Sequence, residues 1–123
     1  MRELWRLMPA LAAFTIPTRA IPKKRHNAKG RTPLATWAFE QQIVGPLAAE
    51  AWRQAPTVRP VGLVIDLFYF DHPPDESNAL KSIEDGMNGI VYLDDEQVVY
   101  TEICRQVCSC KNNERAEIQI LVM

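Results

Sequence analysis

A ten-residue run rich in β-branched and aromatic residues, VGLVIDLFYF at 61–70, constrains the fold more than any other segment. Such a composition predicts a strand. The segment DHPPDES at 71–77 must end that strand, because proline has no amide hydrogen to donate to a neighbouring strand. Helical patterns lie on both sides of the run, so we expect a sheet with helices packed against it.

The region before this strand predicts an arm followed by a long helix. The segment FTIPTRAIP at 14–22 looks extended, and its two prolines suit an edge strand or an irregular arm. Thr32 suits the N-cap of a helix and Pro33 its first position. Apolar residues then recur at helical spacing over 33–54. We expect Gly45-Pro46 to kink or split this helix.

The region after the strand predicts a second helix from about Ser77 to Asn88. Leu80, Ile83 and Met87 form its apolar stripe. Gly89, the next residue, suits the end of a helix. The first helix therefore precedes the central strand and the second follows it.

The remainder of the chain predicts extended structure. A short apolar segment, IVYL at 90–93, suits a strand running back along the second helix. The segments 98–110 and 116–123 predict the two strands of a hairpin, joined by the turn KNNER. The resulting order, β-α-β-α-β-β, predicts an α+β fold in which two helices pack on one face of a mixed β-sheet.

Length and composition predict one soluble domain, 1–123, with residues 1–13 as an N-terminal extension. No apolar run reaches the roughly 18 residues of a membrane span, so we expect no membrane partner. The three cysteines, at 104, 108 and 110, are odd in number and favour a reducing cytoplasm. Even spacing on a strand predicts that they face one way, as buried small hydrophobes in preference to a zinc site.

The near-neutral net charge of -1 hides two oppositely charged halves. Residues 1–60 hold ten cationic and three acidic side chains, whereas residues 61–123 hold four and twelve. A basic half favours contact with nucleic acid. Clustered carboxylates in the other half can hold a hard cation such as Mg²⁺. An ordinary surface of mixed charge is the alternative.

Two acidic clusters flank the second helix, Asp75-Glu76 before it and Asp94-Asp95-Glu96 after it. If the chain returns along the helix, these carboxylates meet at one rim, where Mg²⁺ would activate water and stabilise charge on a phosphate. Lys81, one turn into the helix, would oppose the developing negative charge. The structural alternative is that the first cluster only caps the helix and the second only forms a turn.

Four segments in order resemble the RusA family of Holliday junction resolvases, which are small dimeric endodeoxyribonucleases. The family pattern D-x-D-N-x-x-K is matched by DESNALK (75–81), and D-D-x-Q-V by DDEQV (94–98). Upstream, FTIPTRAIPKKR (14–25) and GRTPLATWAFEQQI (30–43) are similar to the family's basic arm and first helix. The resemblance implies a RusA-like fold from about residue 14 to the C-terminus.

The resemblance also implies residue roles, carried over by position. Asp75 and Asp95 match metal-binding aspartates, and Lys81 matches the catalytic lysine. We therefore expect Asp75, Lys81 and Asp95 to be catalytic, and Asp75, Asp95 and Asp94 to bind the metal. The expected supporting residues are Ser77, Asn78 and Asp85. The expected DNA-binding residues are Lys23, Lys24, Arg25, Lys29 and Arg31.

Family membership would imply cleavage of four-way DNA junctions with Mg²⁺ or Mn²⁺ by a homodimer, whose two subunits nick opposing strands. One departure matters, because Ser77 stands where the family has its second aspartate. Two hypotheses follow: an active resolvase with a reorganised site, or a protein that binds junctions and cuts them poorly. A binding or inhibitory module and a metal nuclease with another DNA substrate are further alternatives.

Overall fold

The computed structural model describes residues 2–21, 34–73 and 75–123. Four strands form one sheet. They are β1 (Ala12–Ile16), β2 (Val61–Tyr69), β3 (Val98–Val107) and β4 (Arg115–Val122). The α-helices are α1 (Arg2–Leu7), α2 (Leu34–Ala38), α3 (Gly45–Trp52) and α4 (Glu76–Met87). The fold is α+β, as the sequence predicts.

The strands lie in the order β1-β4-β2-β3, with β2 and β3 parallel and the other pairs antiparallel. The parallel pair needs a crossover connection, and α4 supplies it. The prediction of a hairpin between the last two strands is wrong, because both of them pair with β2 and not with each other. Residues 108–114 cross the end of β2, where the amide of Cys108 donates to the carbonyl of Tyr69 at 2.9 Å.

The main core lies between the sheet and the long helices. Alternate residues of β2, from Val61 to Leu67, point toward the helices and are almost fully buried. Ile83 and Met87 of α4 and Phe39 in the first helical region meet them there. The helical boundaries lie close to the predicted ones, since α4 begins at Glu76 and ends at Met87. This packing fixes α4 against the sheet.

The first helical region changes its hydrogen-bond pattern at Gly45-Pro46, where the sequence predicts a kink or a split. Between α2 and α3, residues Phe39–Val44 form a π-helix, and the amide of Gly45 donates to the carbonyl of Glu40. The π-helix shifts the pattern of backbone hydrogen bonds by one residue, and this shift accommodates Pro46, which has no amide hydrogen. Gly86 of α4 packs against this segment so closely that a Cβ atom there would lie 2.6 Å from Val44 Cβ.

The opposite face of the sheet is covered at one end by α1, within the segment expected to be an N-terminal extension. Trp5 of α1 is buried and stacks on Tyr100 of β3, with ring centroids 5.9 Å apart. Gly62 makes room for the indole, because a Cβ atom there would lie 2.8 Å from Trp5 Cε3. The remaining part of this face carries polar side chains such as Asp66 and Gln106.

Two other sequence predictions need correction. The segment 90–93 is a turn, held by an isolated bridge between Tyr92 and Thr57, and not a strand. The cysteines are not core residues, since Cys104 and Cys110 are exposed and Cys108 is half-buried. The reason is that β3 lies at the sheet edge and ends at Val107, so α1 covers only its first part.

Within the described ranges, no helix has the length and apolar character needed to cross a membrane.

Candidate nuclease site

The N-terminus of α4 is held by Asp75. This residue has extended backbone angles, and its Oδ1 accepts from the amide of Asn78 at 2.9 Å. That contact satisfies one of the amides that have no partner at the start of a helix. The predicted capping role of Asp75 is therefore present in the structure. Asp75 itself is exposed, so its carboxylate is accessible to solvent.

The second acidic cluster forms a compact turn, Asp95–Gln97, with 3-10 geometry. Asp94 Oδ1 accepts from the amide of Glu96 at 3.0 Å, and the Gln97 side chain accepts from the amide of Asp94 at 3.0 Å. Gln97 Nε2 also donates to the carbonyl of Thr57 at 2.8 Å. The turn is thus attached to the segment ahead of β2, which fixes the position of Asp95.

Lys81 links α4 to this turn. Its Nζ lies 2.5 Å from Asp95 Oδ2 and 3.3 Å from Asp85 Oδ1. The pair with Asp85 joins residues four apart, which lie on the same face of a helix. The sequence also predicts that Lys81 lies near the second acidic cluster, and its contact with Asp95 agrees. The structure thus brings together Lys81, Asp85 and Asp95.

The charges in this group stabilise one another. The hydrogen bond to Asp95 is the main cause that raises the pKa of Lys81, and Asp85 adds to it. The same hydrogen bond is the main cause that lowers the pKa of Asp95. Both shifts favour the charged forms, so the ion pair persists at neutral pH.

Glu84 is a neighbour of this group that sequence reasoning missed. Burial raises its pKa to about 7, and the negative charges of Asp95 and Asp85 add to that rise. Its backbone carbonyl accepts from the hydroxyl of the buried Tyr92 at 2.7 Å. The position of Glu84 next to Asp85 in the sequence could have indicated that it lies near the site. Its burial could not be predicted, because it depends on how the segment after α4 folds back.

Glu76, the residue before Ser77, forms an ion pair with β3. Its Oε1 lies 2.7 Å from Arg105 Nε, so it points away from the group around Lys81. Arg105 thus contacts the first acidic cluster. Ser77 is exposed at the first turn of α4.

The expected metal ligands are separated into different contacts. Asp75 caps α4, Asp94 caps the following turn, and Asp95 is neutralised by Lys81. No group of three His, Cys, Asp or Glu side chains suited to a metal ion occurs among residues 2–21, 34–73 and 75–123. Carboxylate oxygens are nonetheless the donors that Mg²⁺ prefers, and one or two of them with waters suffice. The donor chemistry fits a hard cation, and the observed contacts leave the cation's position open.

The expected DNA-binding residues, Lys23, Lys24, Arg25, Lys29 and Arg31, lie outside the described residues, as do Thr32 and Pro33. The segment that leads to them is described as far as Ile21. It leaves the sheet after β1, which is an edge strand as predicted. The position of the basic arm stays a prediction.

A comparison with protein-family models matches residues 17–121 to a family described as Endodeoxyribonuclease RusA. The chain belongs to the RusA family. The match extends over nearly the whole chain and includes every expected site residue, which confirms the resemblance and places the chain among DNA endonucleases. Among curated proteins, none matches this sequence.

Proposed function

We propose that this chain is a metal-dependent endonuclease that resolves four-way DNA junctions during recombination and repair, by paired symmetric nicks. Family membership supports DNA cleavage. The observation that carries the proposal is the contact of Lys81 Nζ with Asp95 Oδ2 at 2.5 Å, since it joins the two motifs of the family pattern. We also propose that the protein acts in the cytoplasm, which its three unpaired cysteines, an odd count, favour.

The side chains around Lys81 suit the hydrolysis of a phosphodiester. Asp95 and Asp85 hold the ammonium group of Lys81 in place and keep it charged. A fixed positive charge stabilises a phosphate whose negative charge grows in the transition state. Lys81 is half-exposed, so a phosphate can approach its free hydrogens from solvent. These contacts support Lys81 and Asp95 as catalytic residues.

The metal requirement rests on the carboxylates. We propose that Asp75 and Asp95, with Asp94 as a further ligand, hold Mg²⁺ or Mn²⁺. Such a cation, when bound, supplies an activated water and additional positive charge at the scissile phosphate. Asn78 and Asp85 support the site from α4, through the capping contact with Asp75 and the ion pair with Lys81.

A homodimer follows from the substrate. The described part of one chain contains one such group of residues, whereas paired nicks in a junction require two related by a twofold axis. The basic arm supplies phosphate contacts, which dominate affinity for DNA and depend strongly on salt. Neutralising Lys23, Lys24 and Arg25 together is expected to weaken junction binding and flatten its salt dependence. Unchanged binding would contradict the role of the arm.

Ser77 favours a second candidate function, a junction-binding protein with impaired cleavage. Its hydroxyl is a neutral ligand, so the site lacks one anionic contact that the family pattern contains. Glu76 does not compensate, because it pairs with Arg105 at 2.7 Å. The two functions differ in cleavage alone, so a cleavage assay separates them.

The test is nicking of a synthetic four-way junction with Mg²⁺ or Mn²⁺, alongside flap and linear duplex DNA of the same sequence. For the active enzyme we expect junction nicking that disappears in Asp75→Asn. Asp66→Asn, on the other face of the sheet, is the matched control and retains nicking. No nicking by the wild type, together with nicking by Ser77→Asp, would instead establish the binding protein. Equal cleavage of linear DNA would indicate a nuclease without junction preference.

A binding or inhibitory module without metal is tested separately. A cation that binds only the native state must raise the midpoint of thermal unfolding. We expect Mg²⁺ or Mn²⁺ to raise the midpoint in the wild type and to have less effect in Asp75→Asn. An unchanged midpoint together with an absence of nicking would favour the module.

A further inference from the structure

Arg19, in the segment after β1, makes three contacts with distant parts of the chain. Its Nη1 donates to Glu114 Oε2 at 2.9 Å and to Asp71 Oδ1 at 3.1 Å. Its Nη2 donates to the carbonyl of His72. The planar guanidinium group presents several donors in a fixed geometry, which one lysine cannot reproduce. One side chain therefore joins the segment after β1 to the connection between β2 and α4.

Glu114 is the buried partner in this arrangement. It lies just before β4 and is only 8% exposed. Its Oε2 accepts from the amide of Phe70 at 3.1 Å as well as from Arg19. A buried carboxylate is costly unless it is paired and hydrogen-bonded. The two contacts satisfy Glu114, and they hold Arg19 and Phe70 at one point.

The connection held in this way leads directly to the candidate site. It starts at Phe70 and reaches the N-cap residue Asp75. Arg19 and Glu114 contact Phe70, Asp71 and His72 in succession. Only two residues, both proline, separate His72 from Asp75 in the sequence. Proline restricts its own backbone and that of the residue before it, so few backbone rotations are free between His72 and Asp75.

Arg19 also lies close to the basic arm in the sequence. Arg19 precedes Lys23 by four positions in the sequence, and Ala20, between them, is buried in the core. Arg19 and Ala20 are therefore both fixed against the folded domain. The pair of Arg19 with Glu114 thus ties the segment after β1 to the connection that ends at Asp75.

We propose that Arg19, held by Glu114, is a positioning residue that fixes the connection before Asp75 and, through it, the N-cap of α4. This inference rests on the proposed function for its consequence, since the placement of Asp75 alters turnover only if Asp75 serves in cleavage. Its structural part is independent of cleavage. Arg19 itself contacts neither Lys81 nor Asp95 through any hydrogen bond found within the described chain.

The structural part is tested by amide hydrogen exchange of the whole protein, followed by NMR. The amide of Asn78 is bonded to Asp75 Oδ1, and the amide of Glu96 is bonded to Asp94 Oδ1. In Arg19→Met, exchange at Asn78 is expected to accelerate by about fivefold or more, while Glu96 changes less than about twofold, because local opening affects only the connected cap. Equal changes at both amides, or none at Asn78, would overturn the proposal.

The functional part is tested by junction nicking with Arg59→Met as the matched control. Arg59 is exposed, and its Nη1 makes one 3.4 Å contact with the carbonyl of Met123. Both variants lose one positive charge. We expect Arg19→Met to lower kcat by about tenfold, as misplacement of a site does, with a change in KM no larger than in Arg59→Met. An effect confined to KM and equal in both variants would show that Arg19 acts only through its charge.

Two further variants keep the test decisive. Arg19→Met leaves Glu114 buried without its cation, so the double variant with Glu114→Gln removes that charge and preserves folding. Arg19→Lys keeps the charge and loses the planar donor set, and we expect kcat to stay below half of the wild-type value. Full recovery by lysine would refute positioning by the guanidinium group. If the wild type cuts no junction, the proposed function fails, and the exchange rates still decide whether Arg19 positions Asp75.

Discussion

Glu84 provides a test of the electrostatics around Lys81, through the substitution Glu84→Gln. Burial and two neighbouring carboxylates raise the pKa of Glu84 in the folded protein to about 7, from an ordinary value of 4.5. The folded state therefore favours the neutral acid. Below pH 4.5 the carboxyl group is neutral in both states and does not lower the free energy of unfolding. The loss of stability appears as the pH rises and is complete above about pH 7.

The difference between about 7 and 4.5 corresponds to at most about 3.4 kcal/mol of lost stability at high pH. Glu84 is only half-buried, so solvent screening reduces this to about 1–2 kcal/mol. Glutamine has nearly the same shape and never ionises. Glu84→Gln should therefore be more stable than the wild type by about 1–2 kcal/mol at pH 8, and equal to it at pH 4.5.

The assay is urea denaturation of both proteins at pH 4.5, 6 and 8. Glu50→Gln is the matched control, because Glu50 is an exposed glutamate on α3. We expect the gain in the free energy of unfolding to grow with pH for Glu84→Gln and to be absent for Glu50→Gln. A gain that is the same at every pH, or a loss at pH 8, would refute the argument about burial and neighbouring charge.

Three other substitutions test separate parts of the account. Lys81→Met should lower the free energy of unfolding by about 1 kcal/mol at pH 7. The loss should shrink below pH 3.8, where an aspartate without its cationic partner becomes protonated. Urea denaturation at pH 7 and below pH 3.8 measures this. Gly86→Ala should destabilise by about 1–2 kcal/mol despite the better helix propensity of alanine, and a second substitution, Val44→Ala, should relieve part of that cost in a double-mutant cycle. Ser77→Asp should stabilise α4 by about 0.3–1 kcal/mol, since a negative charge is favourable in the first turn of a helix; an unchanged thermal midpoint would contradict this.

Local sequence patterns predict the elements of this fold well. The strand β2 and the helix α4 follow from residues that are adjacent or one turn apart, and the structure places their ends within a residue or so of the predicted positions. The predicted hairpin fails because seven residues, 108–114, allow either a direct return or a path across the end of β2. The choice depends on which strand offers β4 a better partner, and the sequence near the turn does not contain that information.

The same contrast between local patterns and contacts of distant residues applies to the candidate site. The closeness of Lys81 to Asp95 follows from a helix and a short return of the chain, and the sequence predicts it. The sequence also predicts that Asp75 meets the second cluster at one rim, but among the contacts of the described residues Asp75 and Asp94 accept from local amides and Asp95 pairs with Lys81. Arg19 and Glu114 are 95 residues apart in the sequence, so no local pattern predicts their contact.

The central claim is that Lys81 lies in the catalytic centre of an enzyme that cuts junctions. The most direct measurement compares nicking of a four-way junction by the wild type, Lys81→Met and Lys111→Met at saturating DNA. Lys111, an exposed lysine in the turn before β4, is the matched control. We predict that Lys81→Met loses about 100-fold or more in turnover, the typical cost of removing a group that stabilises the transition state, and that Lys111→Met stays within about twofold of the wild type. Equal turnover in all three proteins would contradict the claim.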